Sequence, residues 1–228
     1  MAELRREAVI DALRKQEVKV DQGELEVHLE RAQVLQAEAW ERGEHLEPKH
    51  AALHLADAIE GLKGPGRDAV LDAYLGAGAA AELELSPGAA EALAALADGG
   101  VQLGIVCDVG LTGSHHLRSM LERAGVLRYF TGWSFSDEVG RYKPSPAIFR
   151  HMLDQFDLQE GAVVWHVGDL KRTDVAGALA SGLVPIRYRG LIDDDSDGVE
   201  AALVIERFSE LLPLAESGTG PRSSVHPE

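Results

Sequence analysis

The residues best suited to chemistry sit together in His166-Val167-Gly168-Asp169-Leu170-Lys171-Arg172-Thr173-Asp174, where a short apolar run gives way to a helical pattern. Carboxylates at Asp169 and Asp174, on either side of such a junction, can converge on one hard cation. Mg²⁺ takes oxygen ligands in octahedral geometry and keeps several waters, so one or two protein carboxylates plus a substrate phosphate suffice. Gly168 lets the backbone approach closely. The plainer reading is that Asp169 ends a strand and Asp174 caps a helix.

A second candidate is Lys143, in Ser136-Asp137-Glu138-Val139-Gly140-Arg141-Tyr142-Lys143-Pro144-Ser145-Pro146. The following proline blocks helix and keeps Lys143 extended just before a helix begins. An ammonium held there can neutralise a phosphate or a phosphorylated aspartate, although a loop lysine is usually a solvated charge. The third candidate is Gly104-Ile105-Val106-Cys107-Asp108-Val109-Gly110, a buried strand running into a polar loop. Small side chains and free backbone N–H groups at Cys107, Asp108 and Val109 can hold phosphate oxygens. A lone buried cysteine otherwise acts as a small hydrophobe.

Other signals are weaker. His50 and His54 stand four apart on a helix without the glutamate of a His-Glu-x-x-His site, and read as surface residues. Asp193-x-Asp195-x-Asp197-Gly198 copies half a calcium loop, but Val204 stands where the closing glutamate belongs, so it reads as a solvated turn. Trp133 and Trp165 read as packing residues.

These residues need a scaffold, and the apolar pattern supplies one. From Met1 to about Gly99, apolar residues recur at spacings of three and four, as in Val9, Leu13, Leu25, Leu29, Leu53, Ala56 and Ile59, which is helical periodicity. Breaks fall at Lys19 to Gly23, Glu44 to Pro48 and Gly61 to Gly66. Ser86-Pro87-Gly88 then opens another helix, with Ser86 as cap and Pro87 in its first position, closed by Gly99-Gly100. From Val101, short apolar runs alternate with amphipathic stretches: Val101 to Cys107, Ser114 to Ala124, Gly132 to Phe135, Pro146 to Phe156, Ala162 to Val167, Thr173 to Ser181 and Val184 to Tyr188. Such alternation implies βαβ crossovers and a parallel sheet covered on both faces, with reactive groups in loops after the strands' C-terminal ends. Leu203 to Leu212 reads as a short strand and helix, and the polar stretch Glu216 to Glu228 as a disordered tail.

The chain has 228 residues, 45% of them apolar, enough for one sizeable core and an attached lobe. Its net charge of −16 repels nucleic-acid phosphates and anionic membrane surfaces. One cysteine excludes an internal disulfide, and the polar start lacks the apolar run of a signal peptide, which places the protein in the cytoplasm. No stretch approaches the roughly 20 apolar residues needed to span a bilayer.

In this order, the segments around Cys107, Lys143 and Asp169 to Asp174 resemble motifs two, three and four of the haloacid-dehalogenase-like hydrolase superfamily. The flanking phrases Leu85-Ser86-Pro87-Gly88, Tyr129-Phe130, Phe135 to Gly140 and Asp174-Val175-Ala176-Gly177-Ala178 extend the resemblance from about Leu85 to Leu212. It implies an α/β fold with a Rossmann-like parallel sheet core over 84–215, behind an all-helical cap domain over 1–83. It implies Mg²⁺ held by Asp169 and Asp174, with Asp169 and Lys143 as catalytic residues. Phosphate would be held by Cys107, Asp108, Val109 and Lys143. Cys107 stands where the family has serine or threonine, and Asp108 where asparagine is common; a thiol is a weak donor.

The family's nucleophile lies on an Asp-x-Asp motif ahead of the cap, on a strand between those ending at Cys107 and Val167. Asp11 and Asp21 lie in polar helical sequence and do not replace it. The first core strand is therefore expected to be absent, with the true start roughly ten to thirty residues upstream and a poorly stable chain, since each lost hydrogen bond costs about 1 kcal/mol. The resemblance implies hydrolysis of a small phosphomonoester through an aspartyl-phosphate. The alternatives are a metal-independent dehalogenase and a non-catalytic binding or regulatory protein. No pattern identifies the substrate or the oligomeric state.

Overall fold

The structure, a computed structural model, describes residues 1–217, 220 and 221. Four helices open the chain: α1 (Ala2–Lys15), α2 (Gln22–Glu41), α3 (Pro48–Ala58) and α4 (Gly64–Gly76). Then come α5 (Ala89–Asp98), β1 (Gly104–Cys107), α6 (Ser114–Arg123), β2 (Gly132–Phe135), α7 (Ser136–Val139), α8 (Pro146–Leu153), β3 (Trp165–Gly168), α9 (Ala176–Ala180), β4 (Val184–Tyr188), β5 (Leu203–Ile205) and α10 (Leu211–Ser217). The chain divides into two compact units, Met1–Leu83 with Asp108–Arg123, and Glu84–Cys107 with Ala124–Glu228. Of the expected tail, Glu216 and Ser217 end α10, and residues 218, 219 and 222–228 lie outside the described residues.

The first unit is helical because its apolar residues repeat with the helix and its breaks carry stop signals. Asp21 caps α2 by accepting from the Glu24 N–H at 3.0 Å, and Pro48 occupies the first turn of α3, where a missing N–H costs nothing. The apolar stripes meet in one core containing Val9, Leu13, Leu25, Leu29, Leu55 and Val70. A buried cation joins them. Arg5 is only 4% exposed, donates to Thr112 Oγ1 at 2.6 Å and lies 5.6 Å from the centre of the Tyr74 ring. Burial pushes the Tyr74 phenol up to about 12, against the pull of the Arg5 charge.

In the second unit, α5 starts later than the sequence suggests. Ser86 does not cap it with its side chain; the helix begins at Ala89 behind Gly88, which takes φ 75°, and Ser86 offers its carbonyl to the Ala89 N–H at 3.0 Å. Residues 101–103 stay outside β1, because Val101 N–H turns back to Leu96 O at 3.0 Å and closes α5. All strand pairings are parallel, as expected from the βαβ pattern. They form two sheets, however: β1 pairs with β2, and β3, β4 and β5 form a separate sheet in that order.

An apolar cavity of about 850 Å³ is lined from one side by Ile105 and Val106 of β1 and from the other by Trp165 and Val167 of β3. On the outer flank, Ile148 and Phe149 of α8 pack with Ala178 and Leu183. Around β4 and β5, Ile186 and Ile205 pack with Leu96 and Leu211. No helix of the described residues is long and apolar enough to cross a membrane.

Leu55 is fully buried at the centre of the first unit's core. Leu55→Ala is expected to destabilise that unit by about 2–5 kcal/mol, lowering its urea midpoint in fluorescence-monitored unfolding without changing the slope.

Candidate metal and phosphate site

β3 ends at Gly168, and the chain passes Asp169 and Leu170 into a single wide turn of π-helical form, Lys171–Val175, which leads into α9. Leu170 O takes two N–H groups, from Asp174 at 2.9 Å and from Val175 at 3.2 Å, and this widened turn returns the Asp174 carboxylate to the strand end. Asp174 is 3% exposed. Its Oδ1 accepts from Lys143 Nζ at 2.7 Å and from His166 Nε2 at 2.8 Å. Its Oδ2 accepts from the Leu170 N–H at 3.2 Å and the Thr173 hydroxyl at 3.3 Å.

Burial alone pushes the Asp174 carboxyl up. The His166 hydrogen bond and the Lys143 charge outweigh it and hold the group well below the usual carboxylate range. Gly168 is required for this geometry: a Cβ there would lie 2.2 Å from Asp174 Cγ. The close approach that Gly168 permits is thus to a carboxylate of the same loop.

Lys143 and Asp174 are brought together; Lys143 lies between α7 and α8 with its side chain 14% exposed. Asp169 is exposed at the C-terminal end of β3, and its carboxylate takes no hydrogen bond or ion pair among the described residues. Cys107 closes β1 opposite Phe135 of β2. Asp108 and Val109 belong to the first unit, where Asp108 Oδ2 accepts from the Trp40 indole N–H at 3.0 Å and Val109 is buried.

The donors at the end of β3 fit a hard divalent cation in a particular way. Asp169 offers an uncommitted carboxylate. Asp174 has about four lone-pair sites, and four protein donors already engage them, so direct coordination by Asp174 requires one to yield. Among the described residues, no group of three or more His, Cys, Asp or Glu side chains is set to hold a metal. A cation here would rest on one or two carboxylates, the substrate and water, as Mg²⁺ does.

Three participants escaped the sequence reading. His166 shares a strand face with Gly168, and strand alternation from Gly168 pointed to it. Arg187, 4% exposed in the apolar strand β4, pairs with Glu200 at 2.8 Å and Asp193 at 2.6 Å; an arginine inside a buried strand signals acidic partners. The acidic turn is accordingly more than solvated. Asp194 accepts the Lys171 N–H at 2.6 Å and the Ser196 N–H at 3.0 Å, and hydrogen bonding, first from Ser196, holds its carboxyl down at about 2.

Two outcomes follow. Gly168→Ala is expected to cost about 1–3 kcal/mol by forcing Asp174 aside, seen as a lower urea midpoint. Because the Asp174 pKa is depressed on folding, its stabilisation is present above the ordinary aspartate value of about 3.9 and is lost as pH falls towards the depressed value. Unfolding free energies measured across that acid range should decline in the native sequence and decline less in Asp174→Asn.

Comparison with known proteins identifies the family. Residues 4–182 match the family model of haloacid dehalogenase-like hydrolases. Over 128 residues the chain is 30% identical to the pyrimidine 5'-nucleotidase YjjG of Escherichia coli (strain K12), covering 56% of this chain and 55% of that protein. The chain thus spans about half the length of this curated relative. A 2-haloacid dehalogenase from Pseudomonas syringae pv. Tomato DC3000 shares the fold with a TM-score of 0.65 at 21% identity, over 96% of this chain and 92% of that one. So does the putative HAD-hydrolase YfnB from Bacillus subtilis bound to magnesium, with a TM-score of 0.62 at 16% identity, over 93% and 91%. A chain that carries these segments in this order on parallel strands belongs to the haloacid dehalogenase-like hydrolases.

Proposed function

We propose that the protein takes part in Mg²⁺-dependent hydrolysis of a small phosphomonoester, with the attacking carboxylate delivered by an extended strand seated between β1 and β3. The observation that carries this reading is the pairing of buried Asp174 with Lys143, with Asp169 exposed just past the end of β3 and its carboxylate uncommitted among the described residues. Asp169 would hold Mg²⁺, with Asp174 beside it, and the cation would offset charge on the transferring phosphoryl group. Lys143 would steady the phosphoryl oxygens. Cys107, at the end of β1, would serve as a further phosphate donor.

The strand is supported by the second unit itself. Among the described residues, β1 and β3 each pair with one strand, run parallel to it and line one apolar cavity. A parallel strand is the element whose backbone can satisfy two such edges. A carboxylate at its C-terminal end would arrive where reactive groups of parallel sheets gather. It would attack phosphorus in line, release the alcohol, and pass the phosphoryl group from the aspartyl-phosphate to water.

Pyrimidine nucleoside 5'-monophosphates are the first substrates to try, because the E. coli relative carries that activity in its name. The 228-residue chain should release phosphate from them, or from p-nitrophenyl phosphate, no faster than background. The same chain extended at its N-terminus by an apolar strand ending in Asp-x-Asp should turn over only with Mg²⁺, and Lys143→Met in that background should lower kcat by about 100-fold or more. Turnover by the unextended chain would place the nucleophile within it. Metal-independent turnover of a 2-haloacid would favour a dehalogenase instead.

A further inference from the structure

We propose that His166 is a positioning residue for this site: its imidazole fixes the orientation of the Asp174 carboxylate towards Lys143 and towards a divalent cation. The inference rests on the metal-site reading above, and it concerns a side chain that none of the motif segments singles out for a role.

The geometry is specific. His166 sits on β3 with its side chain 11% exposed, and its Nε2 lies 2.8 Å from Asp174 Oδ1. A carboxylate oxygen only accepts, so Nε2 carries the proton and donates. The ring cannot swing freely, because Phe149 meets it edge-on with centroids 4.9 Å apart. His166 also lines the apolar cavity that β1 and β3 share. Gly168, two residues along the same strand face, leaves the space that brings Asp174 within reach.

The remaining donors act differently. Leu170 N–H and the Thr173 hydroxyl bind Oδ2 from within the turn and move with it. Lys143 binds Oδ1 from another loop on a flexible stem. Among these four, His166 joins Oδ1 to a sheet strand through a rigid ring, and so sets the plane of the carboxylate. Hydrogen bonds to groups around a metal commonly change its affinity by about 10–100-fold.

The test compares His166→Phe, which keeps an aromatic ring without a donor, with His166→Gln, whose amide can replace the Nε2 donor. Mn²⁺ affinity of the full chain is read by titration calorimetry, alongside the melting temperature. His166→Phe should bind Mn²⁺ at least ~10-fold more weakly, and His166→Gln should return close to the native affinity. Equal affinity in His166→Phe and the native chain would overturn the proposal, as would equal weakening in both variants, which marks a packing role. If the native chain takes up no Mn²⁺, the metal reading fails by itself, and positioning is judged on Lys143. Its ammonium protons, seen by ¹H–¹⁵N NMR, should exchange slowly in the native chain and His166→Gln and rapidly in His166→Phe; slow exchange in all three would overturn the proposal.

Discussion

The loop structure at the end of β3 depends on one buried carboxylate. Asp174 gathers a lysine from one loop, a histidine from β3, and an N–H and a hydroxyl from its own turn. Removing one partner of such a buried pair leaves an uncompensated charge, typically at a cost of about 3–5 kcal/mol. The constraint reaches back into local structure. The wide turn at Lys171–Val175 is what returns Asp174 to the strand end, and Gly168 is what leaves room for it. Both features make sense as the means of holding that carboxylate, while Asp169, just past the end of β3, is exposed and uncommitted among the described residues.

The second constraint is the division of the sheet. A parallel strand buried on both faces needs partners along its edges, since unpaired backbone groups away from water are costly. Among the described residues, β1 and β3 each pair with one strand, and both line an apolar cavity. The imidazole that holds Asp174 also lines this cavity.

Much of the fold was legible in the sequence. Helical periodicity pointed to three or four opening helices, of which the structure has four, and turn signals gave their breaks, because those depend on local patterns. Parallel pairing followed from alternation of short apolar runs with helices. What failed was local competition between hydrogen bonds. Ser86 gave its carbonyl to a turn instead of capping α5, and Val101 joined the end of α5 instead of β1. In the site, Lys143 and Asp174 were legible from type and spacing, and their contact is direct. His166, Arg187 and Asp194 were not, because each gains its role from a partner eight to 23 positions away in the chain. Their signal was present in the form of polar side chains within or beside apolar strands.

The most direct test of the account is an anomalous-diffraction map of crystals soaked in Mn²⁺. A peak is expected about 2.1 Å from an Asp169 carboxylate oxygen, at the C-terminal end of β3. An ordered peak on the acidic turn of Asp193, Asp195 and Asp197 with none at Asp169 would contradict it.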